Sequence, residues 1–142
     1  MMELLIPLAG LIILVLGFGL HFIGQLISLI GWDSAVKLGI AEKGLLSEYK
    51  DYEKGIALAD VFIGWIYLPI GLGILLGQNF SFKLAWIPGV VFIYHSLCFF
   101  FWTRYQNQAG NVYRSESMRI GWFIFNFIGG LIVLLVAFFS KT

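Results

Sequence analysis

Hydrophobic residues run almost unbroken through Leu4–Ile30, Ile56–Leu76, Leu84–Trp102 and Ile120–Phe139, and polar residues gather between those stretches. A helix rises about 1.5 Å per residue and a bilayer core is about 30 Å thick, so about 20 apolar residues suffice for a crossing. The pattern predicts an all-α polytopic membrane protein, an up-down bundle of four transmembrane helices forming a single domain over residues 1–142. The stretch 31–55 reads as an amphipathic loop. Asp33 and Ser34 are placed to cap a short helix carrying Val36, Leu38 and Ile40, with Gly39 and Gly44 as interruptions. Glu48, Asp51 and Glu53 suit the positive end of a helix that starts well before Ile56. Residues 77–83 read as a tight turn and 103–119 as an amide-rich connector. The first segment is expected to be retained as a helix, because Met1-Met2-Glu3 carries no basic residue and no small-x-small cleavage pattern follows.

Each predicted helix carries one stripe of small or polar residues. In the first, Gly10, Gly17, Gly24 and Gly31 recur every seven residues, and His21 and Ser28 fall on the same face. The second has Glu53, Ala57, Asp60, Gly64, Tyr67 and Gly71, with Pro69 expected to kink it. The third has Val91, His95, Cys98 and Trp102, and the fourth Arg119, Trp122, Asn126 and Gly130. Small residues let helices approach closely in lipid, where apolar burial no longer drives association. The stripes are therefore expected to face one another. Gly73-xxx-Gly77 offers a further close contact, with a second protomer as one partner.

Composition narrows the picture. Hydrophobic residues make up 60% of the chain and charged residues 12%, against roughly 45–50% and 25% in soluble domains. The net charge of +1 says nothing about nucleic acid and no basic run suggests it, so no nucleic-acid partner is expected. The single cysteine, Cys98, excludes an internal disulfide and a two-thiol relay. Seven of the nine basic residues, Lys37, Lys43, Lys50, Lys54, Arg104, Arg114 and Arg119, lie in the two long loops, leaving Lys83 and Lys141 on the other side. Basic residues favour the cytoplasm, so the expected location is the cell membrane, with the long loops cytoplasmic and both termini outside.

The chemistry lies in the few polar residues inside the spans. Counted along the helices from the long-loop boundary, Asp60, Gln25, Asn126, His95 and His21 fall within about 6–14 Å of it. An aspartate costs about 2.5–3.5 kcal/mol at a membrane centre, so such groups pair or line a wet cavity. The expectation is a ligand pocket of Asp60, His21, His95, Asn126 and Gln25, with Trp65, Tyr67 and Tyr94 as its inner floor. It would bind or transport a small hydrophobic or cationic ligand. A membrane-embedded acid–base enzyme for a lipid-soluble substrate, built on Asp60 with a histidine, is the first alternative. A non-catalytic accessory subunit of a membrane complex is the second. The histidines and Asp60 have none of the short spacings of recognised metal motifs, so neither metal nor cofactor is expected. Expected partners are membrane lipid, the ligand, and a second copy or a membrane-complex subunit. The layout, with a long polar first loop and a short central turn, is similar to that of the small DoxX-like membrane proteins, a resemblance of arrangement that implies no residue or activity.

Overall fold

The computed structural model describes residues 2–43, 47–110 and 115–140. Among them every regular element is a helix. Gly44, the second interruption expected in the first loop, and Asn111, Arg114 and Lys141 lie outside the described residues.

The first span is continuous but wound in three parts, α1 (Met2–Ile12), a π-helix π1 (Ile13–Gly24) and α2 (Gln25–Ile30). The sequence pattern predicts uniform α-helix there. Hydrogen bonds from i to i+5 widen each turn beyond four residues, and Gly17, Gly19 and Gly24 bring no side chain to crowd it. A wider turn brings every fourth residue back to the same side. Ile13, Gly17 and His21 accordingly form one buried row.

α3 (Trp32–Lys37) follows at once. It starts from Gly31, so Asp33 and Ser34 lie within it instead of capping it. Gly39, at φ +72°, ends the turn that follows. α4 (Ser47–Gly64) begins well before the apolar stretch, as the acidic residues predict. It meets α5 (Tyr67–Leu75) at a bend of 46°. The break at Trp65–Ile66 precedes Pro69 by one turn. Proline has no N–H and clashes with the carbonyl four residues earlier, here that of Trp65.

The turn after α5 corrects one expectation. Gln78 N–H donates to Gly73 O at 2.7 Å and Gly77 N–H to Ile74 O at 3.1 Å, and Gly77 has φ +67°. This is a Schellman C-cap with glycine in the left-handed position. A Cβ on Gly73 would strike Ser81 of the same chain. Gly73-xxx-Gly77 thus shapes a turn within the chain and is not spare for a second protomer.

Most of the expected turn at 77–83 is helical, as α6 (Asn79–Leu84), which runs into α7 (Trp86–Gln108) after Ala85. α8 (Glu116–Phe139) begins at Ser115, whose hydroxyl accepts from Met118 N–H at 3.4 Å. Three helices are long and apolar enough to cross a membrane, or four when α4 and α5 count as one bent span.

Two glycine crossings hold the end that bears the short turn. A Cβ on Gly71 would lie 3.2 Å from the carbonyl oxygen of Gly10, and one on Gly130 would lie 2.8 Å from that of Gly89. The first crossing joins α1 to α5 and the second joins α7 to α8. Around them Ala9, Ile13, Leu16, Tyr67, Ile70, Ile74, Phe92, Val133 and Val136 form the buried apolar core. Inward hydroxyls bond back along their own helices, Ser28 to Gly24 O at 3.2 Å and Ser96 to Ile93 O at 2.7 Å. Such bonds satisfy the hydroxyl where water is absent.

Candidate functional site

Between the glycine crossings and the long loops, four helices each deliver one polar side chain to a common point. His21 comes from π1, Asp60 from α4, His95 from α7 and Asn126 from α8. His21 is 1% exposed and Asn126 is fully buried. His21 Nδ1 lies 3.7 Å from Asp60 Oδ2, and His95 Nε2 lies 3.4 Å from the same oxygen. The two imidazoles meet edge to face with centroids 4.4 Å apart.

Asn126 assigns one ring proton of His21. Its Nδ2 donates to Trp122 O at 3.0 Å, so Oδ1 is the atom turned toward His21, at 2.9 Å from Nε2. A carbonyl oxygen only accepts, and this network therefore assigns the proton to His21 Nε2. In the neutral ring Nδ1 is then a lone pair, aimed at the Asp60 carboxylate. Among the described residues neither His21 Nδ1 nor Asp60 Oδ2 has a hydrogen-bond partner, and both are buried. Leaving a buried polar atom unsatisfied costs about 1–3 kcal/mol, more for a charged one. His95 Nδ1 is also buried without a partner among the described residues.

The walls are aromatic. Phe92 stacks on His21 with centroids 5.5 Å apart, Trp122 lies 6.1 Å from His21, and Tyr67 rests on Phe92 at 5.6 Å. The structure thus brings together His21, Asp60, His95 and Asn126 and sets Tyr67 in the layer beneath. It does not bring in Trp65 or Tyr94, which are 60% and 67% exposed. Tyr94 follows from helix geometry, since the residue next to His95 points about 100° away around the helix. Trp65 sits in the break after α4 and turns outward with it. Gln25, half-buried at the start of α2, makes none of the described hydrogen bonds to the cluster.

One feature, Phe92, escaped the sequence pattern, whereas Arg119 was on the inward stripe and only its partners were not legible. Phe92 is one turn before His95 on the same stripe, and that spacing was the available signal. Arg119, buried at the start of α8, donates from Nε to Thr103 Oγ1 at 3.0 Å and lies 5.8 Å from the Phe100 ring. Thr103 Oγ1 in turn bonds Phe99 O at 2.8 Å. Beyond the cluster, Trp102 stacks on Tyr49 at 4.1 Å and on Tyr52 at 5.3 Å, joining α7 to α4.

No family model, curated protein or solved structure matches this chain.

Proposed function

We propose that this is an integral membrane protein that binds a small cationic ligand at the His21–Asp60–His95 cluster. The observation that carries the reading is a buried carboxylate faced by two imidazoles at 3.4 and 3.7 Å. A carboxylate in that position attracts positive charge, and desolvation strengthens the attraction. The cationic half of the expected ligand class is favoured over the hydrophobic half. Trp65 and Tyr94 turn outward, and the aromatic side chains that remain, Phe92 and Trp122, pack directly on His21. By the count of basic residues the cluster belongs to the cytoplasmic half of a cell membrane, with both termini outside.

Purified full-length protein in mild detergent provides the test. Thermal unfolding is followed with K+, tetramethylammonium, Ca2+ and Zn2+ in turn, for the wild type and for Asp60→Asn, which keeps the shape and removes the charge. At least one cation should raise the wild-type Tm and leave that of Asp60→Asn unmoved. If no cation does so, the reading fails and an accessory subunit, defined by its protein contacts, takes its place. Native mass spectrometry of the same sample reports stoichiometry and any retained ligand. The acid–base enzyme reading draws on the same carboxylate and imidazoles. It would be favoured by turnover of a lipid-soluble substrate that Asp60→Asn abolishes.

A further inference from the structure

We infer that the cation is a divalent first-row transition metal, held by His21 Nδ1, His95 Nε2 and Asp60 Oδ2. The inference rests on the cation-binding reading and narrows it.

Distance is the first argument. A charge-assisted hydrogen bond between imidazole and carboxylate spans about 2.7–2.9 Å. The pairs here span 3.4 and 3.7 Å. Zinc binds imidazole nitrogen and carboxylate oxygen at about 2.0–2.2 Å, so two donors on a tetrahedral ion stand about 3.3–3.6 Å apart. The observed gaps are close to the edges of such a coordination polyhedron and longer than a well-formed charge-assisted hydrogen bond. One donor atom from each of the three residues lies within 4.8 Å of the other two.

Donor chemistry is the second. A metal-bound histidine turns a lone pair toward the ion and in most sites has its other N–H tied down, which sets the tautomer and orients the ring. His21 has both, with Nδ1 turned toward Asp60 and Nε2–H held by Asn126, whereas His95 Nδ1 has no hydrogen-bond partner among the described residues. Asn126 is itself anchored to Trp122 O, so it is a positioning residue and not a ligand. Two imidazoles with one carboxylate suit zinc, iron, cobalt or nickel, whereas magnesium and calcium take oxygen donors. Three protein donors also leave a coordination position open, the arrangement of reactive zinc sites as opposed to closed structural ones.

The experiment uses the full chain, stripped with a chelator in mild detergent and then titrated with Zn2+ or Co2+. Native mass spectrometry should show one metal per chain. X-ray absorption of the loaded wild type should show a nitrogen and oxygen shell containing imidazole and no sulfur, which separates this site from Cys98. His21→Gln and His95→Gln should each weaken binding tenfold or more. Asn126→Leu should weaken it about 10–100-fold while the absorption spectrum keeps its two imidazoles. Excess Mg2+ or Ca2+ should not displace the metal. Failure of the wild type to take up Zn2+ or Co2+ overturns the inference, as does a shell lacking imidazole. Both measurements are made on the wild type and stand even if a variant fails to fold. If K+, Ca2+ or tetramethylammonium still raises Tm through Asp60, the metal assignment alone falls. If no cation does, the cation reading falls with it.

Discussion

The two ends of this bundle are held together by opposite means. At the short-turn end Gly10 meets Gly71 and Gly89 meets Gly130, with backbone against backbone. At the long-loop end the helices that continue from these crossings hold imidazole, carboxylate and amide between them. Glycine crossings need no charge and tolerate no bulk. The polar cluster needs width, and its side chains have specific hydrogen-bonding demands. The contrast teaches that one end can set the spacing of the spans while the other is left free to hold charged groups.

The largest effect should come from breaking the crossings. A Cβ on Gly130 meets a backbone oxygen at 2.8 Å and the backbone nitrogen of Ile93 at 3.2 Å, neither of which can swing aside. Gly130→Ala should cost about 1–3 kcal/mol by overpacking, and Gly130→Leu should prevent recovery of monodisperse protein. Gly121, on the same helix with no atoms near its would-be Cβ, is the control. Gly121→Ala should be neutral or stabilising by up to about 1 kcal/mol in thermal unfolding. Equal losses at both positions would erase the distinction between the two ends.

The polar end should respond next, and in two separable ways. Asn126→Leu leaves the His21 N–H unsatisfied and should cost about 1–3 kcal/mol together with weaker cation binding. Thr103→Val removes one acceptor from Arg119 and should cost about 1.5–3 kcal/mol with cation binding unchanged. A cation-binding defect in Thr103→Val would show that the two buried polar groups act as one.

A smaller split is expected along the glycine stripe of the first span. A Cβ on Gly17 would sit 2.8 Å from the Tyr67 ring, whereas one on Gly24 would sit 3.7 Å from its nearest neighbours, an ordinary contact. Gly17→Ala should therefore lower Tm and Gly24→Ala should leave it nearly unchanged. Trp65→Phe should have the least effect of all, altering neither Tm nor cation binding. A loss of binding there would return the outward-facing tryptophan to the site.

The convergence of His21, Asp60, His95 and Asn126 was legible because lipid punishes polar side chains. Each could only point inward, and the steps of three and four between small residues showed which way inward was. Aromatic residues carry no such constraint, since Trp65 and Tyr94 are as comfortable against lipid as inside. Their direction depended on a helix break and on a single residue of register. Gly73-xxx-Gly77 reads equally as a helix contact or as a helix end. The decision came from the positive φ at Gly77, which no spacing encodes. Ile13 was hidden by the winding, because an α-helical count gives every fourth residue a steady drift that the π turn removes. The proposed metal site was set aside in the sequence for a simpler reason, as the three residues it would use come from three different helices.

That winding also bears on how such a chain tolerates changes in length. Deleting one residue from an α-helix turns everything beyond it by about 100° and would carry a side chain such as His21 off its face. The stretch Ile13–Gly24 holds more residues per turn than an α-helix needs. Loss of one residue there, with half-buried Gly19 the least encumbered choice, can be absorbed by rewinding to α-helix while both flanks keep their bearings. The segment that carries His21 toward Asp60 is thus also the part of the span where a codon can be lost most safely.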